Sequence, residues 1–367
     1  MRCVLVVGDW QWPWYQEACS RALESLGCQV LRFGWNDRFK RWVPGCSEPV
    51  FRSWWLRMQS RAQSGPAVWQ LQRDLVRMAA QGRPDVVFFY NVQLIDPATV
   101  RALKAAVPGV VLCQYANDNP FSARAVSGLW RKFLRSIPEF HLHFAYRQSN
   151  VAEFRKRGAR EVPLLRSYFI PEDDFPIAES DRDRRFECDV VFAGHYENDG
   201  RLAALEAVMR AGFRLKLFGG GWSAALPRLA EDSPVRALYP ISPVTGADYR
   251  QAICGAKAAL CFLSSMNCDT YTRRSFQIPA MGVAMLSQRT ADLTGLFAED
   301  REACFFESTD ELLQKLKRLV ADKDYSESIA AAGRERVWRD EHHVAGRMKH
   351  FLLTVSAFHR DRQAVQE

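Results

Sequence analysis

The chain has no apolar run near the roughly 18 residues needed to cross a bilayer as a helix. Its longest runs, such as Val86-Val87-Phe88-Phe89-Tyr90, have the length of a strand. The N-terminus, Met1-Arg2-Cys3-Val4-Leu5-Val6-Val7-Gly8-Asp9, turns acidic too soon for a secretory leader. The ten cysteines include no Cys-x-x-Cys pair. Cys254, Cys261 and Cys268 are evenly spaced, but six intervening residues match no common zinc pattern. These absences predict a cytoplasmic protein with reduced, mostly buried thiols and no metal.

Several catalytic fingerprints are missing as well. The first strand runs into Gly8-Asp9-Trp10-Gln11-Trp12-Pro13 and not into Gly-x-Gly-x-x-Gly. Gly-x-x-x-x-Gly-Lys-Ser/Thr is absent, as are His-Glu-x-x-His and Gly-x-Ser-x-Gly. Dinucleotide-dependent oxidoreductases, P-loop enzymes, zinc proteases and α/β-hydrolases are thereby disfavoured, and no cofactor is expected. Nucleic-acid-binding modules and lysine-rich tails are lacking too, so no nucleic acid partner is expected.

What is present is an ordinary globular composition, 48% hydrophobic and 25% charged over 367 residues. At roughly 100–200 residues per domain, that length suggests two domains. The net charge of +8 suits an anionic surface or phosphorylated ligands, or simply an arginine-rich bacterial surface.

Short apolar runs alternate with amphipathic stretches. Val4–Val7, Val30–Phe33, Asp85–Tyr90, Val110–Tyr115, His141–Ala145 and Val162–Leu165 read as strands. Gln16–Leu26 and Pro97–Ala106 read as helices between them, the latter capped by Asp96. Ile170 to Glu187 is polar and carries Pro171 and Pro176, as a linker would. The rhythm then restarts with strands at Asp189–Phe192, Leu215–Phe218, Ala258–Leu263, Val283–Leu286 and Ala303–Phe306. Ser308 and Glu311 form a capping box before a leucine-striped helix. The expected fold class is α/β, two Rossmann-like doubly wound parallel-sheet domains facing a cleft. The expected divisions are 1–172, 187–343 and a C-terminal helix, 344–367, that packs back on the first domain. Ligands of such sheets bind beyond the carboxyl ends of the strands.

The stretch Leu260–Leu286, LCFLSSMNCDTYTRRSFQIPAMGVAML, concentrates chemistry there. A buried strand enters a polar loop, and a helix starts near Thr272 with Arg273 and Arg274 in its first turn. Free backbone N–H groups and fixed positive charge suit a phosphate or diphosphate. Solvated arginines on an ordinary strand–helix connection would leave the same pattern.

This stretch resembles the C-terminal signature of the CgeB-like (spore maturation protein B-like) glycosyltransferases. Asn267, Arg274, Ser275, Phe276, Ile278, Pro279, Ala280 and Gly282 match that signature, and the likeness extends through Phe305-Phe306-Glu307-Ser308 to Ile329–Val337. The resemblance implies the two-domain GT-B fold, with a nucleotide-diphosphate sugar (UDP, GDP or dTDP) on the C-terminal domain and an unidentified acceptor on the N-terminal one. The transferase expected is of hexosyl or deoxyhexosyl type, and the lack of an Asp-x-Asp pair beside a strand, together with the arginines of the donor stretch, predicts that it needs no metal. Where many relatives carry Glu, seven residues, Glu, facing the donor sugar and the ribose, this chain has Asp269 and Gln277. A catalytically weakened nucleotide-sugar-binding protein is the alternative those departures leave.

Phe192-Ala193-Gly194-His195-Tyr196, followed by Arg201, resembles the glycine-rich turn of GT-B donor domains, in which a basic residue contacts the diphosphate. Gly219, Gly220 and Trp222 fit a nucleotide-base loop with Trp222 stacking, and fit an ordinary turn equally well. The candidate bases are Asp118, in Tyr115-Ala116-Asn117-Asp118-Asn119-Pro120, and Asp9, each following a buried strand. Each would equally serve as a helix cap or turn residue. Trp35 to Arg61 interleaves tryptophans with arginines. Peripheral contact with an anionic membrane on the inner face, an aromatic platform for an acceptor sugar, and a helical excursion with its tryptophans packed inward are all open readings.

Overall fold

The computed structural model describes residues 2–37, 39, 50–122 and 128–364, the side chains of 50–53 excepted. The chain divides into two units, Met1–Arg166 with Val344–Glu367, and Ser167–His343.

The first unit is built on five parallel strands, β1 (Cys3–Gly8), β2 (Gln29–Gly34), β3 (Val86–Tyr90), β4 (Val111–Ala116) and β5 (Leu142–Ala145), in the order β2-β1-β3-β4-β5. Every residue of β3 is buried, which explains its unbroken apolar sequence. The helices Pro66–Gly82 and Pro97–Ala106 turn Leu71, Leu75, Val100 and Leu103 into the core that holds Val87 and Phe89. On the other face the helix Val344–Ala364 sets the Phe351 ring 4.6 Å from Phe88 and 5.0 Å from Phe144. Burying each such ring contributes about 1.5–3 kcal/mol. Asp96 caps its helix, accepting from the Thr99 N–H at 2.9 Å, with Pro97 in the first turn.

The second unit repeats the plan with β6 (Cys188–Ala193), β7 (Leu215–Phe218), β8 (Ala256–Cys261), β9 (Ala284–Gln288) and β10 (Cys304–Phe306), all parallel, in the order β10-β9-β8-β6-β7. In each sheet the strand order reverses once, between β1 and β3 and between β6 and β8. Such a switch point opens a crevice beyond the carboxyl ends of the two strands, because the chain leaves them in opposite directions.

Three expectations change. Val162–Leu165 is not a strand; it makes only isolated bridges, Leu142↔Glu161 and Ala145↔Leu164. Pro163 has no N–H to continue the ladder. The helix read at Gln16 starts later, at Ala18, after a wider turn over Pro13–Glu17. The polar stretch 170–187 is not a free linker, since it lies within the second unit. There the Gln251 amide accepts from the Asp183 N–H at 3.0 Å and donates to the Asp181 carbonyl at 3.1 Å. Its short turns and prolines bury little apolar surface, which is why the sequence reads as a connector.

Among the described residues no helix is long and apolar enough to cross a membrane. Seven of the described cysteines are buried, and all of them are free thiols.

Candidate functional site

In the second unit the crevice between β6 and β8 is shaped by backbone packed on backbone. Gly219 holds a φ of +145°, and a Cβ there would lie 1.9 Å from the Gly194 carbonyl oxygen. A side chain at Gly220 would meet His195 Cδ2 at 3.1 Å. These glycines let the turns after β6 and β7 touch, joined by the Gly194 N–H to the Phe218 carbonyl at 2.8 Å. His195 is exposed on this rim.

Arg274 opens the helix Arg274–Ala280 beside the same turn. A Cβ on Gly194 would lie 3.3 Å from its Nη1. Its Nη2 makes only a long hydrogen bond, 3.3 Å to the Phe262 carbonyl, and its Nε is buried with no partner. Among the described residues no carboxylate pairs with it. A guanidinium so placed can take an anion.

Arg201 is different. The sequence reading assigns it to a diphosphate, but its side chain is 3% exposed. Its Nε donates to Asp199 at 2.8 Å, its Nη1 to the His195 carbonyl at 2.6 Å, and its Nη2 to the Leu263 carbonyl at 3.1 Å. Arg201 therefore clamps the turn after β6 to the end of β8, with Asp199 and Glu197 balancing its charge. Glu197 continues the clamp by accepting from the Ser265 hydroxyl at 3.2 Å and the Met266 N–H at 3.3 Å. Asp199 and Glu197 went unnoticed in the sequence, although both lie within four residues of Arg201.

The remaining donor-side candidates divide. Asn267 and Asp269 lie half-buried in the loop after β8, folded back on Ser264 through their backbone N–H groups. Thr272 is buried, its N–H donating to the Ser275 hydroxyl. Arg273 leans away, its Nη2 3.5 Å from the buried Asp174 carboxylate. Gln277, read as a ribose ligand, is 8% exposed. Its Nε2 donates to Asp174 at 2.8 Å and its Oε1 faces the Tyr249 hydroxyl at 3.4 Å. Burial pushes the Asp174 carboxyl up from its usual pKa, against the pull of Arg273 and the Ile170 and Gln277 donors. Trp222 does not present a stacking face. It is 1% exposed, packed in the core, and donates to the Gly194 carbonyl at 3.0 Å. Gly282 ends the helix at a φ of +68° and leads into β9, so it sits at the opposite edge of the sheet from the crevice.

In the first unit the corresponding edge carries Asp9 after β1, Asn91 after β3, and Asn117 and Asp118 after β4. Asn91 Nδ2 donates to Asp118 Oδ2 at 3.0 Å, and Asn36 Nδ2 to Asp9 Oδ1 at 3.2 Å. Asn91 takes a φ of +56°, a conformation asparagine tolerates better than most residues. Both carboxylates are half-buried. Asn91 was not foreseen; an asparagine next to a tyrosine carries no signal until the fold brings Asp118 to it.

Trp35 is buried, whereas Trp54 and Trp55 are 48% and 52% exposed. Arg38, Lys40, Arg41, Trp42 and Glu48 of that segment lie outside the described residues.

Residues 201–353 match the family model of glycosyl transferase-like proteins. No curated protein matches the sequence. Among solved structures the chain is similar to HepE of Anabaena in complex with UDP-glucose, with a TM-score of 0.68 and 13% identity over 97% of this chain and 100% of that one. It is similar also to sucrose-phosphate synthase of Thermosynechococcus elongatus, at 0.67 and 11% over 97% and 100%. Trehalose 6-phosphate synthase of Burkholderia multivorans matches at 0.66 and 9% over 100% and 99%. The fold is that of the GT-B glycosyltransferases.

Proposed function

We propose that the protein transfers a sugar from a nucleotide-diphosphate sugar to an acceptor hydroxyl. The observation that carries this is Arg274, an unpaired guanidinium at the switch point of the second unit, in a fold whose relatives include a complex with UDP-glucose. The acceptor oxygen bonds to the anomeric carbon as that carbon's bond to the diphosphate oxygen breaks. The electron pair leaves with the nucleoside diphosphate, and Arg274 offsets the charge that develops there. Arginine supplies this stabilisation without a metal, so hexosyl or deoxyhexosyl transfer here is metal-independent. Asp118, oriented by Asn91, takes the acceptor proton, with Asp9 as the second carboxylate at that edge. UDP is the first nucleotide to test, ahead of GDP and dTDP. The run Arg274–Gly282 supports a place among the CgeB-like transferases. The exposed Trp54 and Trp55 support peripheral contact with an anionic membrane.

Calorimetric titration with UDP, GDP, dTDP and CMP tests the reading, followed by slow hydrolysis of the matching sugar nucleotide with and without EDTA. Binding of one nucleoside diphosphate and EDTA-insensitive release of its sugar are expected. Binding without release would favour the weakened-binder reading, and no binding at all would remove both. Loss of activity in EDTA, restored by magnesium, would overturn metal independence.

A further inference from the structure

The crevice of the second unit holds one more side chain that the fold leaves unengaged. All seven histidines lie among the described residues. Six of them use their rings inside the structure. His141, His143, His350 and His359 hydrogen-bond through a ring nitrogen. His342 stacks on Phe276 at 4.3 Å, and the His343 ring lies 5.5 Å from that of Trp338. His195 does neither. It is exposed, and among the described residues no group hydrogen-bonds either ring nitrogen.

Its main chain, by contrast, is pinned at three successive residues. The Gly194 N–H donates to the Phe218 carbonyl at 2.8 Å, the His195 carbonyl accepts from Arg201 Nη1 at 2.6 Å, and the Tyr196 N–H donates to the Gly220 carbonyl at 3.0 Å. The ring is thereby held over Gly220, where a Cβ would lie 3.1 Å from its Cδ2 and 3.3 Å from its Nε2. Arg274 reaches the same turn, its Nη1 3.3 Å from where a Cβ on Gly194 would lie. Two groups that can carry positive charge therefore meet the turn after β6. The acidic groups of that turn are already engaged. Asp199 accepts from Arg201, and Glu197 accepts from the Ser265 hydroxyl and the Met266 N–H. Tyr196 packs 5.3 Å from the Trp222 ring, and Gly219-Gly220-Gly221 after β7 brings no titratable side chain.

We propose that His195 is a second ligand of the diphosphate, donating to a phosphate oxygen beside Arg274 and doing so as imidazolium. The inference rests on the transferase reading and deepens it by naming a further residue of the donor site. A nucleoside diphosphate carries more than one negative charge, and a single guanidinium offsets only one. Both nitrogens of an imidazolium donate and neither accepts, which suits phosphate oxygens that only accept. Imidazole is the side chain whose charge changes most readily near neutral pH, and a neighbouring anion favours its charged form. By reciprocity the anion binds the protonated ring better, so the affinity that depends on His195 fades as the pH rises.

Calorimetric titration of UDP, GDP and dTDP into the full chain, His195→Gln and His195→Ala tests this, at about pH 6 and about pH 8.5. The nucleotide's own titration is common to the three proteins, so their ratios isolate the ring. Both variants should fold as the parent does, because no hydrogen bond of the fold runs through that ring. For the diphosphate that binds, His195→Ala should weaken binding about tenfold at the lower pH, the low end of what a hydrogen bond to a charged group contributes. At the higher pH the loss should be under about threefold. His195→Gln keeps a donor without the charge, so it should fall between the two at the lower pH and match the parent at the higher. Equal affinity in all three proteins would overturn the inference and leave the transferase reading standing. So would a loss in His195→Ala of the same size at both pH values, because a ring that only packs against the nucleotide has no charge to lose. A parent chain that binds none of the three nucleotides would remove both.

Discussion

The Gln277 amide nitrogen donates to the Asp174 carboxylate across 2.8 Å, in a setting where Asp174 is 3% exposed and Gln277 8%. The pair thus carries one negative charge, on Asp174, with Gln277 as its neutral donor. A glutamate at 277 would face Asp174 as a second carboxylate, and one of the two would have to hold a proton. Gln277→Glu should therefore destabilise the second unit by about 1–3 kcal/mol near neutral pH, with part of the loss recovered on acidification. Asp174→Asn should destabilise it too, because Arg273 loses its buried counter-charge. The exchanged pair, Asp174→Asn with Gln277→Glu, should recover more than half of either loss. Urea unfolding of the four proteins checks this. Additive losses in the double variant would show that the two positions do not share a charge.

Arg274 and Arg201 should separate in the same kind of experiment. Arg274→Ala should weaken nucleotide binding by roughly 1.5–3 kcal/mol and leave the melting transition nearly in place, since its guanidinium makes one long hydrogen bond. Arg201→Ala strips two carboxylates, 11% and 12% exposed, of their cation. Its cost should be to folding, on the order of 3–5 kcal/mol, with weaker nucleotide binding only as a consequence. Calorimetry and thermal melts on both variants decide the assignment. Equal nucleotide affinity in Arg274→Ala and the parent would refute it.

The sheets were legible in the sequence because their strands are buried on both faces, so a run such as Val86–Tyr90 has no polar interruption to confuse with a helix. The Asp96 cap was legible for the same local reason, since Asp, Pro and Thr at that spacing point to one geometry. Val162–Leu165 misled because β-branched and apolar residues advertise a strand while the missing N–H of Pro163 forbids its ladder. At the site, residue types were legible and their partners were not. Arg201 and Arg274 look alike as letters. Only the fold reveals that Asp199 neutralises one and that no described carboxylate reaches the other. Asp174, 103 positions from Gln277, has no local mark at all.

Stability should fall as the pH drops below neutrality, through the buried His143 and the half-buried His141. Burial lowers both His141 and His143 to about 4. His143 has no exposed surface and its Nε2 sits 2.7 Å from the Ile137 carbonyl, while His141 Nδ1 accepts from the Leu112 N–H at 3.0 Å. Between about pH 6.5 and 4 the unfolded chain binds protons that the folded chain does not, so unfolding gains. By pH 5 the loss through His143 should be roughly 2 kcal/mol relative to pH 7.5, with a smaller share from the half-buried His141. His143→Phe, which keeps the ring contacts with Phe140 and Phe154, should flatten its share of that slope. A variant whose urea midpoint falls with pH as steeply as the parent's would count against His143.

Residues 38–83 hold nine Arg or Lys against two Asp or Glu, a net +7 out of the +8 of the whole chain. On the helix Val50–Ala62 the side chains of Trp54, Trp55 and Met58 are 48%, 52% and 44% exposed, and Trp69 on the next helix is 54% exposed. Positions 54, 55 and 58, with the exposed Arg61, fall on one side of a helix. Indole rings favour the headgroup level of a bilayer, and each arginine near an anionic surface contributes about 1 kcal/mol. The chain should therefore sediment with vesicles of phosphatidylcholine and phosphatidylglycerol but not with phosphatidylcholine alone. High salt should weaken the association, because the arginine share is screened. Trp54→Ala with Trp55→Ala should reduce it about tenfold while leaving the fold intact, since neither ring belongs to the core. Equal sedimentation with neutral and anionic vesicles, or none with either, would mean that this face meets something other than an anionic membrane.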